Sequence, residues 1–76
     1  MKTLLSLAKK LDFTSESEYF EYIIQSYYNG QLTQARELFI KMAKQDKKTF
    51  LNDIPEYLPG DIEAQSNIYK YFFQLL

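Results

Sequence analysis

Only four residues of the chain are glycine or proline, and three of them, Pro55, Pro59 and Gly60, fall close together. The fourth, Gly30, stands alone. Elsewhere the sequence runs without a backbone breaker, and its apolar residues recur every three or four positions. No segment alternates apolar and polar residues over the length of a strand. A chain punctuated this sparingly forms helices joined by short turns. At 76 residues it makes one domain, 1–76, near the lower size limit for a core without disulfide or metal staples. The expected fold is all-α: a compact bundle of four to five short helices around a central antiparallel helical hairpin.

The helices can be placed from their stripes and caps. The first spans about 2–11, with Leu4, Leu7, Ala8 and Leu11 on one face, and Asp12, Phe13 and Thr14 end it. The second opens on Ser15-Glu16-Ser17-Glu18, a capping-box pattern in which Ser15 and Glu18 satisfy each other's free amides. Its inner face reads Phe20, Ile23, Ile24, Tyr27 and Tyr28, and Asn29-Gly30 ends it, with Gly30 suited to a left-handed C-terminal cap. The third is expected over 34–44 with Thr33 as N-cap and Ala35, Leu38, Phe39, Met42 and Ala43 as its stripe. The link from Asn29 to Thr33 is short enough to force an antiparallel hairpin. A fourth, short helix is expected over 47–53, capped by Asp46, with Ile54 extended because Pro55 follows it. Asp61 caps a fifth over 62–75. In that helix Glu63, Ser66, Asn67, Lys70 and Gln74 occupy a narrow polar arc, and the rest is apolar.

Absent residue types narrow the function. There is no cysteine and no histidine. Thiolate nucleophiles, Cys-ligated zinc, iron–sulfur clusters, imidazole ligands and Ser-His-Asp triads are therefore excluded. Apolar residues make up 46% of the chain, which argues against disorder. A net charge of −1 gives no general attraction to nucleic acid. The start of the chain, Met-Lys-Thr-Leu-Leu-Ser-Leu-Ala, meets Lys9-Lys10 too soon for a signal-peptide core, and the apolar run 68–76 is too short to span a bilayer. A cytoplasmic protein without membrane contact is expected.

Carboxylate groups at Glu16, Glu18 and Glu21, at Asp53 and Glu56, and at Asp61 and Glu63 stand where helix capping accounts for them. The 53–61 segment lacks the ligand spacing of a calcium loop. No catalytic residue, metal or cofactor is expected, and the chain reads as a non-enzyme.

Two binding surfaces remain. Thirteen Phe and Tyr residues exceed what a core of this size needs. Tyr22 lies off the inner face of the second helix, and Tyr69, Tyr71 and Phe73 widen the apolar face of the fifth. Tyrosine suits interfaces because its ring buries area while its hydroxyl tolerates water. These four residues are the candidate protein interface, for a protein partner or a second copy of the chain. Lys41, Lys44, Lys47 and Lys48 form a candidate basic patch for phosphates, aligned if the third helix continues through them. The same lysines also suit the negative end of that helix.

Gly30-Gln31-Leu32-Thr33-Gln34-Ala35-Arg36-Glu37-Leu38-Phe39-Ile40-Lys41-Met42 resembles the core of a single tetratricopeptide-type or pentatricopeptide-type hairpin. The resemblance implies a tight turn at Gly30, close helix approach at Ala35, and Phe39 filling the groove between the two helices. In size and Lys/Glu/Tyr/Asn/Gln-rich composition the chain is similar to the small uncharacterised helical proteins of bacteriophages and mobile elements. That resemblance implies an accessory, structural or inhibitory interaction module.

Overall fold

A computed structural model describes residues 3–76. They form five helices: α1 (Leu4–Lys10), α2 (Glu16–Tyr28), α3 (Leu32–Ile40), α4 (Lys44–Tyr57) and α5 (Ile62–Phe73). No strand occurs among the described residues. The all-α bundle is as expected, and its most extensive helix contacts are α2 on α3, α4 on α5 and α1 on α2. The body measures 33 × 22 × 21 Å.

The ends of α1 and α2 share one device. Thr3 starts α1, its hydroxyl accepting from the Ser6 amide at 3.1 Å. Lys2, expected inside this helix, lies outside the described residues. At the far end the Phe13 amide donates to the Ala8 carbonyl and the Asp12 amide to the Lys9 carbonyl, both at 3.0 Å. This is a Schellman closure, and it needs a left-handed residue at its corner. Asp12 fills that corner at φ 63°. In α2 the equivalent bonds run from Gln31 to Ser26 at 2.9 Å and from Gly30 to Tyr27 at 3.2 Å, with Gly30 at φ 78°. The second corner has the residue that tolerates it without strain; the first does not.

At the start of α2 the Ser15 hydroxyl accepts from the Glu18 amide at 3.4 Å. The reciprocal arm differs from the expected box. The Glu18 carboxylate accepts from the hydroxyls of Thr14 at 2.6 Å and Ser15 at 3.5 Å. The inner face of α2 is also rotated from the expected one. Tyr19 and Ser26 are buried with Phe20, Ile23 and Ile24, whereas Tyr27 is half-buried and Tyr28 exposed.

The largest correction lies between α3 and α4. The helix expected over 34–44 begins at Leu32, so Thr33 sits in its first turn and is not its cap. It ends at Ile40, and α4 starts at Lys44, which places Asp46 in the first turn of α4. The hydrogen-bond pattern changes at the break. The Lys41 amide reaches the Glu37 carbonyl, and the Met42 amide reaches Phe39, a tighter turn. The Leu38 carbonyl between them takes the Tyr19 hydroxyl at 2.7 Å. This turn still carries Met42 into the core, so the apolar spacing runs on through a break in the helix.

Pro55 lies inside α4, overturning the expected stop at Ile54. Its missing amide costs one intrahelical bond. The Leu58 amide still reaches the Ile54 carbonyl at 3.2 Å, and Phe50, Leu51 and Ile54 are all buried. Burial of that face outweighs the local preference of the residue before a proline. The Gln65 side chain donates to the Leu58 carbonyl at 2.7 Å, and Asp61 accepts from the Ala64 amide at 3.1 Å. Together with Gly60 at φ 80°, these bonds turn the chain from α4 into α5.

Phenylalanines close the core. Phe50 meets Phe20 and Phe72 at 5.4 Å and Phe39 at 5.8 Å, while Phe39 and Phe72 lie 5.0 Å apart. The approaches through Phe50 are edge-to-face, the favourable arrangement for ring quadrupoles. Ala35 is fully buried, which lets α3 approach α2 closely. Phe39 reaches farther than the repeat-like hairpin implies, since its ring packs on α4 and α5.

Candidate interaction surface

The polar and apolar residues of α5 divide its circumference into three strips. Ile68 and Phe72 point into the core. Glu63, Asn67, Lys70 and Gln74 line one exposed strip. Between that strip and α4 runs a second exposed strip: Ile62, Ser66, Tyr69 and Phe73. At 100° per residue these four fall within about 60° of arc. Ile62 is 77% exposed, Phe73 53% and Tyr69 42%. The Tyr69 and Phe73 rings stack in near-parallel planes, 17° apart, with centroids at 5.5 Å. Alongside them a shallow groove of about 250 Å³ opens between α4 and α5, lined by Ile54, Pro55, Ile62, Gln65, Ser66 and Tyr69.

The four aromatic residues singled out from sequence do not form one surface. Tyr69 and Phe73 share the exposed stripe. Tyr71 is half-buried on the other flank of α5, its ring 5.3 Å from Tyr27 and 5.1 Å from Phe72. Tyr22 is half-buried on α2, edge-on to Phe13 at 5.4 Å, and its hydroxyl accepts from the Gln34 amide group at 3.0 Å. That amide also donates to Ser26 at 2.9 Å, and Ser26 donates to the Tyr22 carbonyl at 2.8 Å. Tyr22 therefore joins the α2–α3 contact. Ile62, apolar in the sequence but outside the expected interface, joins the exposed stripe. Its place one turn before Ser66 and two before Tyr69 was the available signal.

The lysines are also rearranged. Lys41 lies exposed in the break, Lys44 opens α4, and Lys48 is exposed one turn later. The Lys47 ammonium sits 5.8 Å over the Phe39 ring and is engaged there. Lys44, Lys47 and Lys48 occupy the positive end of the α4 dipole, where cations are disfavoured. They do not cap α3, and the alignment that required one continuous helix is lost.

Of the carboxylates singled out as alternatives, Asp61 accepts from a backbone amide at the start of α5, and Glu18 accepts from the Thr14 and Ser15 hydroxyls at the start of α2. Among the described residues no three acidic side chains gather as metal ligands. No described helix is long and apolar enough to cross a membrane. Three tyrosines have raised pKa values. Burial pushes Tyr19 up to about 12. Burial also raises Tyr57, reinforced by Asp53, Glu21 and Glu56 and opposed by its hydrogen bond with Ser17. Tyr28 is raised by desolvation and by the charge of Asp61. None of the three lies on the α5 stripe. No protein-family model, curated protein or solved structure matches this chain.

Proposed function

We propose that the protein is a non-enzymatic interaction module of the accessory, structural or inhibitory kind, and that it binds protein through the outer face of α5. The exposed stripe Ile62–Ser66–Tyr69–Phe73 carries this reading. Aromatic rings stacked at a helix surface, beside an apolar groove, supply contact area with few rotatable bonds to order. A photo-crosslinking amino acid at position 69 or 73, placed in the protein within its native host, tests the reading. Cross-links to protein that exceed those from a control at Lys10, and that Phe73→Glu suppresses when the probe is at 69, support it. Equal yields at 69, 73 and 10 overturn it.

A second reading, contact with nucleic acid, rests on Lys44 and Lys48. They are exposed at the start of α4, a place the helix dipole disfavours, so folding electrostatics do not account for them.

A further inference from the structure

We propose that the occupant of the α5 stripe is a second copy of this chain, packed antiparallel across a two-fold axis between Asn67 and Ile68. The inference rests on the interaction reading above and names its partner.

The stripe is self-complementary. In antiparallel register, Ile62 faces Phe73 of the partner subunit, and Ser66 faces Tyr69 of the partner subunit. Two-fold symmetry repeats both layers, giving the reciprocal contacts that a closed dimer requires. Each layer sets a smaller residue against a ring, so the Tyr69 ring of one copy enters the space over the other's Ser66. A parallel pairing would stack Tyr69 on Tyr69 and leave Ser66 opposite Ser66.

Charge fixes the same register. Glu63 and Lys70 flank the stripe on the solvent side, and both are exposed. In the antiparallel register Glu63 comes alongside Lys70 of the partner subunit, offset by two residues, about 3 Å along the axis. Symmetry gives two such pairs. Exposed ion pairs contribute little affinity, but reversing one places like charges together and sets register and partner choice. A net charge of −1 opposes association only weakly.

The contact is small. The 12 residues of α5 span about 18 Å. That places the interface at or below the small end of specific ones, roughly 1,200 Å² in total, and the dimer in exchange with monomer.

Sedimentation equilibrium at low salt, from about 10 μM to about 1 mM, measures the association constant. Wild type is expected to dimerise with Kd on the order of 100 μM, and Phe73→Glu to remain monomeric. Glu63→Lys and Lys70→Glu should each weaken the dimer by about 3–10-fold, and the double variant should restore it. All of these positions are exposed, so thermal melts by circular dichroism should stay close to wild type. If Phe73→Glu fails to fold, the charge-swap series alone decides. A wild type that stays monomeric at about 1 mM overturns the proposal, as does a double variant no better than the singles. A monomer that still cross-links from position 69 to a different protein overturns the second copy and leaves the interaction reading standing. A monomer with no excess cross-link at all overturns both.

Discussion

The Tyr19 hydroxyl donates to the Leu38 carbonyl at 2.7 Å, supplying the hydrogen bond that the end of α3 does not receive from its own backbone. A residue of α2 thereby caps the end of α3. Tyr19 is 1% exposed, so losing its hydroxyl leaves a buried carbonyl without a donor. Tyr19→Phe should destabilise the fold by about 1–3 kcal/mol, read from urea melts near neutral pH.

Burial of the same phenol gives the fold an alkaline limit. The Tyr19 phenol titrates near 10 in the unfolded chain, and burial pushes it up to about 12 in the folded protein. A folded-state pKa raised in this way contributes stability that is complete below about pH 10 and lost as pH rises toward about 12. Melts of wild type should therefore weaken across that window. Tyr19→Phe should show a shallower decline, with the remainder due to groups such as Tyr57, whose pKa is also raised. An identical pH slope in both proteins would exclude Tyr19 as a source.

Asp12 occupies a left-handed corner at φ 63°, beside the negative end of α1. Both the backbone conformation and the charge are unfavourable there. Asp12→Gly should stabilise the protein by about 0.5–1 kcal/mol, and Asp12→Asn by less. Asp12→Val should destabilise it, because a β-branched side chain fits that corner worst. Thermal melts of the three variants would rank these effects.

Phe39 is fully buried against Phe50 and Phe72. Phe39→Ala should cost about 3–5 kcal/mol and also release the Lys47 ammonium from its ring. A loss below about 1 kcal/mol in denaturant melts would contradict this packing.

The lysines offer a separate test. Lys47 is engaged with Phe39, and Lys41 lies off the α4 face, so at most a few charges can meet phosphate together. Fluorescence anisotropy with a labelled DNA or RNA duplex should show no binding at physiological salt. A micromolar complex that weakens steeply with salt and disappears in Lys44→Glu/Lys48→Glu would favour the nucleic-acid reading.

Ser15, Asp61 and Gly30 were legible as caps because a cap depends on one side chain and the few amides beside it. The break at 41–43 was not, since Ala35, Leu38, Phe39, Met42 and Ala43 keep a helical rhythm straight through it. The Leu38 carbonyl left free at the break is taken by Tyr19, distant in sequence. Tyr19 itself was hidden because Ser26 interrupts the apolar stripe that Tyr19 and Ile23 begin; Gln34 and the Tyr22 carbonyl supply the partners that let Ser26 stay buried. Pro55 misled through a local preference that burial of Ile54 overrides. On α5 the exposed and buried rings were inseparable from sequence alone, because the position of α4 decides which ones it covers.

The most extensive helix contacts join neighbours along the chain: α1 with α2, α2 with α3, and α4 with α5. Ordering by near neighbours has a kinetic consequence. Each hairpin closes a short loop, so little chain entropy is spent before its contacts form, and such topologies fold in microseconds to milliseconds. Aromatic rings join the two hairpins across long sequence separations, Phe20 to Phe50, Phe39 to Phe72 and Tyr27 to Phe72 among them. Docking through those rings is the step with the most chain left to order, so the break between α3 and α4 marks the seam along which the protein should come together last and part first.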